Sequence, residues 1–364
     1  MLTYLAQAGY TETIETYLET WGRDLRPEVA VVTYSELFAG RPLTASAVVF
    51  ADLERLGRGE RSLAERVWQE LAALPAPPRL LNRPARWLTR VELLDALVKR
   101  GLNDFRAVPL RDAPGRVRYP VFVRHRSEHW GALTGLLADR RALERQVARA
   151  YLGGSLDERL AVEFCDTAGA DGRYRKYSAF VVGDAIVPRH LIFDRHWELK
   201  VPRIVDAAAI GEERAYLEAN PHAAVLREVA ALAGVEYGRF DYGVADGRVQ
   251  VWEVNTNPVV MMHPQAYAPR HLANQEWFAE RIARVFAALA RGPQVEYAWS
   301  GARPADAPAR APRSPWRRAS RSPLARAGLR VAAEVVRPLV VRRLQHAGTR
   351  RVEQVLDRQV VEQG

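Results

Sequence analysis

Apolar and polar positions follow two rhythms along this chain. Ala30-Val-Val-Thr-Tyr34 and Ala47-Val-Val-Phe50 are short apolar runs that read as buried strands. Leu63, Val67, Leu71 and Leu74 recur at helical spacing, and Pro75-Ala-Pro-Pro78 stops that helix. Thr89 to Arg100 reads as a second helix, with Thr89 as N-cap, Glu92 at the capping-box position and Gly101 as the stop. A strand over Tyr119 to Arg124 runs into a polar turn, His125 to Gly131. A helix over Asp139 to Tyr151 and a strand over Arg159 to Cys165 follow, the latter ending in a turn with Gly169 and Asp171-Gly172. Two hairpins come next. One pairs Tyr174–Val182 with Ala185–Leu191 across Gly183-Asp184, and the other pairs Tyr237–Val244 with Arg248–Val254 across Ala245-Asp246-Gly247. Between them, Glu212 to Ala233 reads as a long helix interrupted near Asn220-Pro221.

This order predicts an α/β lobe over 1–82 and a mixed α+β domain with antiparallel hairpins over 83–292. An Arg/Pro-rich flexible linker is expected over 293–324. A basic helical tail, broken at Pro338 and Gly348, is expected over 325–364. No internal repeat is visible.

Composition adjusts this picture at two points. The chain has 364 residues, 48% of them hydrophobic, enough for sizeable cores without a run of 18 apolar residues that would span a membrane. The N-terminal residues lack the pattern of a secretory signal, and Cys165 is the single cysteine, so a cytoplasmic protein without internal disulfides is expected. The formal charge of +10 is concentrated: from Gly301 onward there are 14 arginines against five acids. The core is therefore close to neutral, and nucleic acid is not an expected partner for it. The tail is a candidate for an acidic partner, RNA, an anionic membrane surface or a homo-oligomer contact. Lysine occurs only at 99, 176 and 200.

The chemistry concentrates in residues 237–258. On a two-stranded hairpin, side chains two apart share a face. Glu253 and Asn255 project together, and Asp241 on the partner strand can join them. Two carboxylates and a neutral carbonyl oxygen suit a magnesium ion that also carries phosphate oxygens. Arg239 shares the face of Asp241 and is placed to neutralise a phosphate or acyl-phosphate. No serine–histidine–aspartate triad pattern and no His/Cys cluster at zinc spacing occurs.

The stretch with Asp241, Glu253-Val-Asn255 and Pro258 resembles the metal-binding segment of the ATP-grasp superfamily, in the branch of ribosomal-protein glutamate ligases and glutathione synthetases. The similarity spans about Asn82 to Met262. It implies an ATP-grasp fold, in which ATP is held between two antiparallel-sheet subdomains behind an N-terminal α/β lobe. It also implies ATP and Mg2+ as cofactors, with Mn2+ as the alternative ion. Glu163-Phe164-Cys165 is similar to the family's hinge, where backbone groups bind adenine and Glu163 becomes a candidate for the adenine amino group or ribose. Arg90 and Arg124 stand where the family usually has its two phosphate-binding lysines, and arginine is larger and planar. Lys176 is a further phosphate candidate. The turn after Arg124 has one glycine, Gly131, where the family's lid is glycine-rich. His129 and Trp130 are candidates to close the site there, and Arg189 and His190 to face the acceptor. Cys165 reads as a packed side chain rather than a nucleophile.

The implied reaction is ligation: a carboxylate is activated as an acyl-phosphate and attacked by an amine, with small-molecule or peptide substrates. Two alternatives are a kinase of the same fold acting on a hydroxyl, and a nucleotide-binding regulatory protein whose catalysis has decayed. The first would release ADP without consuming an amine. Intact Asp241, Glu253 and Asn255 speak against the second.

Overall fold

The computed structural model describes residues 1–126 and 131–301. The linker from 302 onward, the tail, and the positions of His129 and Trp130 lie outside them.

The N-terminal lobe is a parallel sheet. β1 (Leu2–Ala6), β2 (Val29–Thr33), β4 (Ala47–Phe50) and β5 (Arg79–Leu81) lie in the order β2-β1-β4-β5. All five residues of β1 are buried, as an interior strand covered on both faces requires. α1 (Glu12–Glu19), α2 (Tyr34–Phe38) and α3 (Arg58–Ala72) connect these strands. The apolar stripe of α3 is Leu63, Ala64, Val67 and Leu71, which packs into a core with Val48 and Phe50.

α4 (Arg90–Lys99) opens the second part with the expected cap: the Thr89 side chain accepts from the Glu92 amide, and the Glu92 carboxylate accepts from the Thr89 amide. It leads to a three-stranded antiparallel sheet, β6 (Ala107–Pro109), β7 (Val121–His125) and β8 (Arg159–Glu163), in the order β6-β8-β7. α5 (Arg140–Leu152) covers it, its first turn capped by Asp139 on the Ala142 amide at 2.8 Å.

The larger antiparallel sheet has the order β10-β9-β11-β12, from β9 (Tyr174–Val182), β10 (Ala185–Asp194), β11 (Tyr237–Ala245) and β12 (Arg248–Asn255). Both hairpins fall at the expected turns. In the second, Asp246 and Gly247 have φ of 48° and 75°, the two positive values of a tight hairpin turn. The long helix is two, α6 (Ala207–Ala219) and α7 (Ala223–Ala233), separated where Asn220 takes a left-handed φ of 44°.

α8 (Leu272–Ala290) returns the chain to the N-terminal lobe. Its Phe278, Ile282 and Phe286 join a core with Tyr4, Tyr17 and Phe180. The Met1 amino group donates to the Ala290 carbonyl at 2.8 Å. β13 (Val295–Tyr297) then pairs antiparallel with β3 (Leu43–Ala45), so the first residues of the stretch read as linker from 293 are an edge strand of this lobe. Among the described residues no helix is long and apolar enough to cross a membrane.

Candidate nucleotide and metal site

The two antiparallel sheets face each other across a cavity of about 110 Å³. From the smaller sheet it is lined by Phe122, Arg124, Val162 and Glu163, and from the larger by Lys176, Asp241, Trp252 and Glu253. The segment after β10 closes a third side with Trp197 to Lys200.

Asp241 and Glu253 are register partners on β11 and β12, and β9 adds Ser178 opposite Asp241. A β-bulge follows at Asp241/Tyr242, the kind of irregularity that re-aims a side chain. The Asp241 carboxylate accepts from Ser178 Oγ at 2.6 Å and Arg239 Nε at 3.0 Å, and lies 2.6 Å from Lys176 Nζ. Burial alone would push its carboxyl up. Arg239 and Lys176 outweigh burial and hold it well below the usual carboxylate range. Glu253 Oε2 accepts from Arg90 Nη2 at 2.8 Å and Arg124 Nη2 at 3.0 Å. Burial, and then Arg124 beside it, pushes the Arg90 guanidinium down to about 10. Asn255 shares the face of Glu253, and its Oδ1 accepts from the Asn257 amide at 2.8 Å. Asp241, Glu253, Asn255, Arg239, Arg90, Arg124 and Lys176 thus meet in one neighbourhood, delivered by α4, β7, β9, β11 and β12.

The oxygen set fits the metal the sequence suggested. Two carboxylates and an amide oxygen are hard donors, and magnesium usually takes one or two carboxylates with substrate oxygens completing its shell. Among the described residues no group of three or more His, Cys, Asp or Glu could hold an ion.

Two of the expected site residues are engaged by the protein itself. Glu163 is buried at the cavity wall, but its carboxylate is already engaged. It accepts from the Arg118 amide at 2.8 Å, the Arg106 amide at 3.1 Å and the Arg118 guanidinium at 3.0 Å. It fastens the ends of the small sheet from the cavity wall. Arg189 is outside the cavity. It sits at a bulge between Pro188 and His190, 5% exposed, where it donates to the Val260 carbonyl, Gln275 Oε1 and the Tyr267 hydroxyl and stacks over Phe278. It is a strut between β10 and α8. His190 lies opposite Ser178, and burial, then Arg189 and Arg239, hold its imidazole well below its ordinary range and so neutral.

Phe164 and Cys165 line the cavity as expected. The amides of Glu163 and Phe164 are committed to the Arg106 and Pro120 carbonyls, so neither is offered to a ligand. Burial pushes the Cys165 thiol up to about 11, which removes nucleophilic character.

The sequence reading missed the segment after β10. Trp197 packs into the apolar end of the cavity, its ring centroid 4.9 Å from Phe122 and 5.8 Å from Phe164. Glu198 accepts from the Ala132 amide at 2.8 Å. Gly131 has φ +95°, a backbone conformation that strains any L side chain, and it sits against the ends of the Glu198 and Lys200 side chains. Lys200 also lines the cavity, and burial, only partly offset by Glu253, pushes its amine down to about 8. The signal was present: of three lysines in an arginine-rich chain, two are here, while Lys99 pairs with Asp95 on the surface.

No family model matches the chain, and no curated protein matches it in sequence. Among solved structures it is similar to a RimK domain protein ATP-grasp from Sphaerobacter thermophilus DSM 20745, at 16% identity and TM-score 0.44, covering 79% of this chain and 100% of that one. It is also similar to the ATP-grasp ligase PsnB complexed with a phosphomimetic variant of minimal precursor, Mg and ADP, at 13% identity and TM-score 0.46, over 79% and 97%. A third is D-alanine–D-alanine ligase from Bacillus anthracis complexed with ATP, at 14% identity and TM-score 0.41, over 78% and 98%.

Proposed function

We propose that the chain is an ATP-dependent ligase that activates a carboxylate as an acyl-phosphate for attack by an amine. One observation carries the reading: Asp241 and Glu253 oppose each other on one hairpin, each gripped by cations from separate elements, at the cavity between two antiparallel sheets. Such a site needs acids for a metal and bases for phosphate, and both sets are here. Asp241, Glu253 and Asn255 are the groups that would hold Mg2+ or Mn2+. When bound, the ion neutralises phosphate charge and helps fix the phosphates for in-line transfer. Arg90, Arg124, Lys176 and Lys200 serve as phosphate-binding groups, and Arg239 as the cation beside the acyl-phosphate. Phe122, Phe164 and Trp197 offer apolar surface to the base.

In the reaction, a carboxylate oxygen bonds to the γ-phosphorus and ADP leaves. The amine nitrogen then bonds to the acyl carbon and phosphate leaves. The chain contributes positioning and charge neutralisation. The test is an ADP-release screen of carboxylates and amines, singly and in pairs. Release that requires both partners is expected. ADP formed with a hydroxyl acceptor and no amine would make the protein a kinase, and nucleotide binding without release in any pair would make it a binding protein.

Lys200 sets a pH dependence. Below about 8 its amine is charged and attracts phosphate, and above about 8 it loses the proton. An unfolded lysine keeps its proton to about 10.4. Between these values the unfolded chain binds more protons, so folding stability rises with pH while nucleotide affinity falls. Titrating Mg-ADP binding across this window is expected to show the fall, and Lys200→Arg to flatten it. Parallel profiles for the two proteins would remove Lys200 from the phosphate site.

A further inference from the structure

The small sheet's covering helix carries a surface that the proposed chemistry leaves unused. α5 buries Leu143 and Ala150 in a core with Val121, Val123 and Ala161. Away from that core it repeats arginine every four residues: Arg141, Arg145 and Arg149 are all exposed. At 1.5 Å of rise per residue they run about 12 Å along one side of the helix. Arg140 is paired with Glu144 at 2.7 Å, but none of these three makes an ion pair among the described residues. The row ends at Tyr151 and Leu152, which are 71% and 84% exposed. Leu133 and Leu136, just before the helix in sequence, are the other exposed large apolar side chains among the described residues.

We propose that this face docks on an anionic lipid bilayer, with the arginine row at the headgroup phosphates and Tyr151 and Leu152 entering the interfacial layer. Two features choose this occupant. The apolar pair stands exposed at a helix end followed by the exposed Gly153-Gly154, which a deformable interface accepts more readily than a preformed protein surface. A tyrosine and a leucine beside guanidinium groups match the gradient from headgroup to acyl chain. Charge excludes two others. A second copy would meet the row with the same arginines, and the chain beyond 301 carries 14 arginines against five acids, so both are repelled. An acidic protein is the remaining competitor.

The test is co-sedimentation of the full chain with phosphatidylcholine vesicles, with and without phosphatidylserine. Binding to the anionic vesicles is expected. At about 1 kcal/mol per basic residue near such a surface, Arg141→Glu/Arg145→Glu/Arg149→Glu lowers partitioning by roughly 100-fold or more. Tyr151→Ser/Leu152→Ser lowers it by roughly tenfold at unchanged charge. Both sets change exposed positions, and an unchanged thermal midpoint verifies folding. Failure of the wild type to bind anionic vesicles would overturn the proposal. So would wild-type partitioning by either variant, which would assign binding to the tail. Loss of poly-glutamate binding in the variants, with vesicles ignored by all, would assign the face to an acidic protein.

Discussion

Replacing Asp241 by alanine is expected to lower metal-dependent ADP formation by roughly 10³-fold, and Glu253→Gln by a similar factor, since an ion that neutralises phosphate charge is worth several kcal/mol of barrier. The two changes act differently. Asp241 is 2% exposed and holds Lys176, Arg239 and Ser178, so alanine removes the proposed metal ligand and also leaves two cations without that carboxylate. Asp241→Asn keeps the shape and separates these effects. Glu253→Gln keeps the volume and one acceptor oxygen for Arg90 and Arg124 while removing the charge a cation requires. Steady-state ADP release with increasing Mg2+ is the measurement. Partial recovery of Glu253→Gln at high Mg2+ is expected, and full activity in both variants would put the metal elsewhere.

The second large effect concerns stability and lies at the seam between the lobes. Asn82→Ala is expected to cost about 3–5 kcal/mol of unfolding free energy. The side chain is fully buried, and each of its polar atoms is used twice. Nδ2 donates to the Phe50 carbonyl at 3.2 Å and the Tyr237 carbonyl at 2.8 Å, while Oδ1 accepts from the Glu236 and Tyr237 amides at 2.8 Å each. Alanine leaves four main-chain groups in the interior to find other partners. It must also hold a left-handed φ of 66°, which asparagine tolerates and alanine does not. Asn82→Gly relieves the backbone but not the hydrogen bonds, so it is expected to fall between wild type and alanine. Urea denaturation orders the three, and coincident midpoints for wild type and Asn82→Ala would refute the account.

Much of this architecture was legible where local chemistry decides it. The Thr89–Glu92 capping box, the Asp246-Gly247 turn and the break at Asn220 depend on a few adjacent residues, and each appears where the sequence put it. The opposition of Asp241 and Glu253 was not legible from the turn and strand alternation alone, which pair Asp241 with Trp252; the β-bulge at Asp241/Tyr242 shifts the register by one and brings the two acids opposite each other. What escaped depends on distant partners. β1 has no alternation to reveal it, because both its faces are covered. The role of Glu163 is set by amides 45 and 57 residues away. Arg189 looked like a cation on a site strand, but it is the extra residue of a bulge and ties to α8 and the Val260 carbonyl instead. Asn82 read as a domain boundary because one lobe ends there, whereas its side chain also bridges the two.

The grip of Arg90 and Arg124 on Glu253 has a consequence for the order of binding. Both guanidiniums lean on the carboxylate that the metal would need. On the proposed reading, phosphate oxygens would draw the arginines away and so leave the Glu253 carboxylate open to a cation. Site assembly becomes an exchange of counter-ions rather than the filling of an empty charge. On that reading, free ATP or free metal alone would meet a site already satisfied, whereas the complex of the two would replace both halves of the exchange at once.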